Sequence, residues 1–451
     1  MKFRSTRGAD PVSLDSALLS GIATDGGLYV PDAIPKFSVD DFAGLETIRA
    51  IAQRYLQPYI EDSPLLDQLD GILEETFSFS IPVSSIPVPV GYAGLLELFH
   101  GPTAAFKDVG AGFLAAAISR LDDGADSPIT ILVATSGDTG GAVAAAFDGR
   151  PGIRVVVLYP DGRVSARQAQ QLTCWSDNVL SLAVQGSFDD CQSLVKAAMA
   201  DPELRGCHRL SSANSINIGR LLPQSIYYAD ASLRHYNETG RKPSFIVPTG
   251  NLGNGLACVM ARESGMPIGD IVLASNANRL IADFLQGAQW RPRTSIQTLA
   301  SAMDVGNPSN MERLRHLLGD ADSLNGVVRA FSATDPQIEG EIRAFFHDYG
   351  QAICPHTATA TYAYRQLTDS ERKQNDWIVV ATAHPAKFES IVEPLIGETI
   401  ALPAGLAQIM SRPSHFTRMQ PTMESLVAKL DGFAATGDKQ ACEHISNSDR
   451  S

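Results

Sequence analysis

The chain has 451 residues, 44% of them hydrophobic and 19% charged, which is enough to bury a large core and to form two or three domains. Its net charge of −14 argues against a nucleic-acid or anionic-membrane partner, and no basic run or membrane-length apolar segment points the other way. The six cysteines (Cys174, Cys191, Cys207, Cys258, Cys354, Cys442) are scattered without a Cys-x-x-Cys pair, and Met1–Arg7 lacks the apolar stretch of a signal peptide, so a reduced, cytoplasmic protein is expected.

In chain order, residues 1 to about 90 read as a mixed opening domain. Ser13–Gly21 is helical in pattern, Thr24-Asp25-Gly26-Gly27 is a turn, and Leu28–Pro31 has the pattern of a short strand. Val39–Leu56 and Pro64–Glu75 carry apolar stripes of helical period. The proline-rich run from Pro82 to Val90 is extended, and a domain boundary is expected beside it.

From residue 91 to about 400 the chain alternates strand and helix. Strand-like runs occur at Leu95–Phe99, Ile129–Thr135, Val155–Tyr159, Val179–Val184, Phe245–Val247, Ile271–Ala274 and Trp377–Ala381. Most feed a turn and then a helical stretch, as Ile129–Thr135 does into an alanine-rich helix. Such repeats predict an α/β fold of open, parallel-rich sheets covered by helices. Residues 401–451 form an extension whose tail, after Ala435, is expected to fray.

In an open α/β sheet, ligands bind beyond the carboxyl ends of the strands, and four loops here have that position. The first, Phe99-His100-Gly101-Pro102-Thr103-Ala104-Ala105-Phe106-Lys107-Asp108, puts one lysine among small and apolar residues at the start of a Val109–Leu121 helix, with Asp108 placed to cap it. A helix start and shielding from water both favour the free amine over the ammonium ion. A free amine condenses with an aldehyde, which makes such a lysine a candidate nucleophile, although this stretch alone reads more simply as an ordinary helix-start lysine pointing into solvent. The second loop, Gly250-Asn251-Leu252-Gly253-Asn254-Gly255, lets backbone approach a ligand and aims helix-start N–H groups at an anion, and a tight strand-to-helix turn accounts for it equally. It is neither a Gly-x-Gly-x-x-Gly nor a Walker loop, so a nucleotide is not indicated.

The third loop, Thr135-Ser136-Gly137-Asp138-Thr139-Gly140, offers hydroxyls and amides to a carboxylate or phosphate, although taken alone it reads better as capping by Ser136 and Asp138. The fourth, Thr382–Phe388, places a threonine hydroxyl at a strand end, suited to an uncharged partner for a ring nitrogen or to a plain cap. In the polar stretch Ser211–Arg220, Arg220 has a guanidinium able to grip a phosphate bidentately, although a solvated helix arginine is the default reading. The nine histidines show no metal-ligand spacing, and no Gly-x-Ser-x-Gly elbow occurs.

Taken together, the Phe99–Asp108 stretch resembles the pyridoxal-phosphate lysine motif of the threonine synthase family. The stretches Thr135–Gly140, Ser212–Asn217, Pro248–Asn254 and Thr382–Phe388 resemble that family's other signatures, in the same order. Ser5–Gly8 and Thr24–Pro31 are similar to its amino-terminal domain, and many members carry an aromatic residue where this chain has Leu252. The resemblance implies a fold-type II pyridoxal-phosphate enzyme with domains near 1–90, 91–400 and 401–451. It would convert O-phospho-L-homoserine and water into L-threonine and phosphate, as a monomer or homodimer. By motif matching, Lys107 would hold the cofactor covalently and act catalytically. Gly250, Asn251, Leu252, Gly253 and Asn254 would cradle the cofactor phosphate, Thr382 would face the pyridine nitrogen, and Asp138 would meet the cofactor ring. Thr135, Ser136, Thr139, Asn217 and Arg220 would contact substrate. A phospho-lyase or a serine/threonine dehydratase on the same fold is the alternative outcome.

Overall fold

A computed structural model describes residues 1–121, 127–319, 324 and 326–448, with side chains to residue 435. Three sheets organise it. Phe3–Ser5 and Tyr29–Pro31 form a two-stranded antiparallel ribbon in the amino-terminal region. A six-stranded sheet runs in the order Val328–Ser332, Ile271–Ser275, Pro243–Pro248, Asp376–Ala381, Tyr92–Glu97, Val83–Ile86, and only its last pair is antiparallel. A five-stranded, wholly parallel sheet runs Thr417–Met419, Val179–Val184, Ile153–Pro160, Ile129–Ala134, Leu210–Ser212.

The inner strands of the two large sheets are buried along their whole length and mostly apolar, as expected where helices cover both faces of a parallel sheet. Every residue of Pro243–Pro248, Asp376–Ala381 and Ile129–Ala134 is buried. The same logic explains the alanine-rich helices. Lys107–Ile118 packs against Asp138–Phe147 on one side and Leu69–Thr76 on another, and Ala111, Ala115, Ala116 and Ala117 let the three approach closely.

Several local expectations change in detail. The single helix expected over Val39–Leu56 is a 3-10 turn, Val39–Phe42, and a separate helix, Ile48–Ile60. Gly44, with φ of 76°, breaks the run, since that backbone conformation does not continue a right-handed helix. Likewise Pro64–Glu75 divides into Leu66–Gln68 and Leu69–Thr76. The proline-rich stretch contributes Val83–Ile86 as an edge strand, a position where proline's missing N–H is tolerated. Past residue 400, Thr417–Met419 closes the edge of the five-stranded sheet, and a final helix spans Met423–Ser448. The tail expected to fray after Ala435 instead continues this helix to Ser448, while side chains after 435 and all of 449–451 lie outside the described residues.

Strand order decides where the site lies. Pro243–Pro248, Asp376–Ala381 and Tyr92–Glu97 are neighbours, so the loops leaving them emerge side by side, carrying Thr249–Asn254, Thr382 and Lys107. In the other sheet Ile129–Ala134 and Leu210–Ser212 are neighbours and deliver Thr135–Thr139 and Ala213–Arg220. All five loops line one cleft, at the carboxyl ends of both sheets.

Candidate active site

The Lys107 loop is laced to the Thr382 loop by main-chain bonds. Leu98 N–H donates to Ala381 O (3.0 Å), Phe106 N–H to Thr382 O (2.8 Å) and His384 N–H to Ala104 O (3.0 Å). Ala104 takes a left-handed φ of 55°, uncommon for a residue with a Cβ, and this tight bend brings Lys107 to the first position of its helix. Asp108 does not cap that helix. Its carboxylate turns back to accept the Thr103 N–H (2.9 Å) and the Thr103 hydroxyl, closing the loop from within.

Lys107 points into the cleft with 13% of its side chain exposed, and its Nζ lies 3.8 Å from Asp138 Oδ2. Burial pushes its pKa down from 10.5 to about 8. Asp138 opposes the shift, whereas Lys387 and Arg220 reinforce it. Asp138 is buried too, which alone would raise its pKa. Lys387 and then Lys107 outweigh that cost and hold it ionised, well below the usual carboxylate range. Lys387 Nζ sits 3.0 Å from Asp138 Oδ1, and Gln168 Nε2 donates to the same oxygen at 3.2 Å.

In the glycine loop, Leu252 adopts a left-handed φ of 64° and turns the chain into the helix Gly253–Glu263. The first helical bond is Leu256 N–H to Leu252 O, so the preceding first-turn N–H groups have no intrahelical acceptor and suit an anion. The side chains of this loop are occupied elsewhere. Asn251 Nδ2 donates to Ser215 Oγ (2.7 Å) and its Oδ1 accepts the Ser309 N–H (2.6 Å). Asn254 Oδ1 accepts the hydroxyls of Tyr227 and Tyr228, both at 2.7 Å. The cradle is therefore made of main chain. A Cβ at Gly250 would stand 2.6 Å from Met303 Cα, so only glycine fits there without a shift.

In the third loop the capping expected of Ser136 and Asp138 falls to Thr135, whose Oγ1 accepts the N–H groups of Gly137 and Gly140 (both 2.9 Å). Ser136, Asp138 and Thr139 face the cleft. So does Arg220, buried on the helix Ile218–Leu221, with its pKa lowered by burial to about 10. One of its nitrogens donates to Ala213 O, while Nε has no acceptor. Asn217 does not line the cleft. Its Nδ2 donates to Leu18 O (2.9 Å) and Ser212 O (3.0 Å), and its Oδ1 accepts the Gly219 N–H (2.9 Å), a helix-capping arrangement that leaves nothing for a ligand.

Other residues reach the cleft without having been singled out from sequence. Asn214 and Ser215 sit inside the Ser212–Asn217 stretch already noted, whose run of polar residues was the available signal. His356 lines the cleft at the start of the helix Pro355–Arg365. Burial lowers its pKa to about 4, and its Nε2 accepts the Ala302 N–H at 3.0 Å, so the neutral ring carries its proton on Nδ1. Nothing local distinguishes His356 in the sequence.

Arg313 is fully buried and works as a strut. It donates to Tyr29 O (2.9 Å), Ser215 O (3.0 Å), Asn310 Oδ1 (2.7 Å) and Ile216 O, tying the amino-terminal ribbon to the site. Arg313→Ala leaves those carbonyls unpaired and is expected to lower stability by about 1–3 kcal/mol, read by denaturant unfolding. Loosening Ser215 should also raise KM more than it lowers kcat.

Comparison with known proteins now bears on this geometry. The profile "Pyridoxal-phosphate dependent enzyme" matches residues 95–383, "Threonine synthase N terminus" matches 2–77, and "Threonine synthase, C-terminal" matches 357–429. The threonine synthase of Escherichia coli (strain K12) is 37% identical over 407 residues, covering 90% of this chain and 93% of that protein. The crystal structure of an Escherichia coli threonine synthase superposes with a TM-score of 0.86 at 34% identity, covering 96% of this chain and all of that one. A pyridoxal-phosphate-bound threonine synthase from Brucella melitensis gives 0.86 at 32% identity, covering 96% of this chain and 99% of that one.

The residues present fit that cofactor. A shielded lysine for the aldehyde, main-chain donors for the phosphate, and two buried hydroxyls without partners, Thr382 Oγ1 and Thr249 Oγ1, line the same cleft. An unpaired buried hydroxyl is costly and marks a place where a ligand atom belongs. On this combined ground the chain belongs to the threonine synthase family of pyridoxal-phosphate-dependent enzymes.

Proposed function

We propose that this protein converts O-phospho-L-homoserine and water into L-threonine and phosphate, with Lys107 as the catalytic amine. The observation that carries the reading is Lys107 Nζ, held with a lowered pKa in the same cleft as the Gly250–Asn254 turn. When bound, pyridoxal phosphate supplies an electron sink for the substrate's carbon skeleton. The main-chain N–H groups of Gly250, Asn251, Leu252, Gly253 and Asn254 would hold its phosphate. Thr382 Oγ1, unpartnered in this cleft, would serve the ring nitrogen as a neutral hydroxyl, and Asp138 would serve the ring's polar substituents.

With substrate in place, Lys107 Nζ takes the proton from the α-carbon and returns protons later. A pKa of about 8 leaves the amine and ammonium forms close in energy near neutral pH, which suits a group that does both. The phosphate at the γ-carbon leaves as an anion, and anion-binding groups at the departing oxygens lower that barrier. Arg220, with its unpaired Nε, is the charged donor in the cleft best suited to that task, with Ser136, Thr139 and Thr135 as neutral partners for the substrate. Asn217 serves by fixing the start of the Arg220 helix. The five described cysteines are all free, which supports a reducing, cytoplasmic compartment.

Incubation with O-phospho-L-homoserine tests the reading. Equal amounts of threonine and phosphate are expected. Formation of 2-oxobutyrate and ammonia instead would transfer the chain to the dehydratase alternative.

A further inference from the structure

Asp138 faces two buried cations, and only one of them belongs to the proposed chemistry. Lys387, in the short turn Pro385–Phe388, has 0% of its side chain exposed. Its Nζ lies 3.0 Å from Asp138 Oδ1 and donates to Thr103 O at 2.7 Å. Lys107 Nζ lies farther from the same carboxylate, at 3.8 Å from Oδ2. Lys387 thus holds the better half of Asp138 and, through Thr103, also the loop that carries Lys107.

We infer that Lys387 is a positioning residue whose ammonium balances the Asp138 carboxylate, so that Asp138 cannot lock Lys107 Nζ in an ion pair of its own. The inference rests on the proposed role of Lys107. Its physical basis is proximity. A buried carboxylate with a single cationic neighbour stabilises that neighbour's charge strongly, because little water screens the pair. A second cation, closer and fully enclosed, takes up most of that field. The groups facing Lys107 are few. Asp138 comes from the helix Asp138–Phe147, Lys387 from its turn, Arg220 from the helix Ile218–Leu221, and Cys354 and His356 from the start of the helix Pro355–Arg365. Around Lys387 stand Asp138, Asp108, His356 and His384. Burial holds both histidines neutral at about 4, and Asp108 is turned into its own loop by Thr103. Among the described residues, Asp138 is therefore the carboxylate through which the two lysines are coupled.

The test reads the amine directly. The full chain, freed of cofactor, is labelled with trace amounts of an amine-acylating reagent across a pH series, and the Lys107 peptide is quantified by mass spectrometry. Lys36, 70% exposed, serves as the internal standard. Wild type is expected to label with a midpoint near pH 8. Lys387→Met should raise that midpoint by about one unit or more, and Lys387→Arg should restore it. A folded Lys387→Met protein with the wild-type midpoint would overturn the inference. If that variant does not fold, Asp138→Asn carries the test. With the carboxylate gone, the Lys107 midpoint must fall below wild type, and an unchanged value would overturn the inference equally. Failure of the proposed function looks different, since Lys107 would then titrate as described yet carry no cofactor after borohydride reduction.

Discussion

Lys107→Ala is expected to abolish turnover while leaving the fold intact or slightly firmer. Loss of a positioned acid–base group alone costs about 10²–10⁴-fold, and loss of the covalent attachment point adds to it. No neighbouring lysine can substitute. Lys387 is enclosed and held by Asp138 and Thr103 O, which fixes its amine behind the carboxylate. The stability change should run the other way. The wild-type chain desolvates the Lys107 amine for the sake of chemistry, and truncation relieves that burden. Threonine release measures the first effect and thermal unfolding the second. Retained turnover above about one per cent of wild type, a smaller loss than removal of an acid–base group alone should cause, would remove Lys107 from the mechanism.

Gly250→Ala is the second large effect, and it acts through space rather than charge. The new Cβ would stand 2.6 Å from Met303 Cα and 3.1 Å from Met303 Cβ, contacts that backbone cannot absorb without moving. Met303 lines the cleft against the cradle, and the adjacent Ala302 N–H bonds His356, so displacement spreads across the site. Overpacking of this kind costs about 1–3 kcal/mol of stability. A shift of about 1 Å in the cradle should weaken cofactor retention and lower turnover by roughly 10²-fold. Gly206→Ala is the matched control. A Cβ there meets nothing within 4 Å, in a helix where alanine is favoured by about 0.5–1 kcal/mol, so stability should rise slightly and activity should hold. Equal behaviour of the two variants would show that the cradle tolerates a side chain.

The parts of this architecture that could be read from sequence are those with local causes. Alternating strand and helix, the largely apolar inner strands, and glycine-rich loops at strand ends leave periodic or compositional marks, and these pointed to the α/β fold and to Lys107, Asp138, Gly250–Asn254 and Thr382 as neighbours. What stayed hidden depends on contacts distant in the chain. Which strands pair is decided by packing, so the division into six- and five-stranded sheets left no local sign. Asp108 was read as a helix cap because carboxylates favour that position, but Thr103 competes for it with two donors. Asn217 sits in a polar stretch beside Arg220, and only the structure reveals that Leu18 O and Ser212 O consume its amide. Lys387, His356 and Arg313 are single residues whose meaning comes from burial, which is a property of the folded chain.

The account stands on one covalent link. The protein loaded with pyridoxal phosphate is reduced with borohydride, digested, and mapped by mass spectrometry. The added mass is predicted on the peptide carrying Lys107, with none on Lys387. Its appearance on Lys387 or any other lysine, or on no peptide at all, would contradict the site described above.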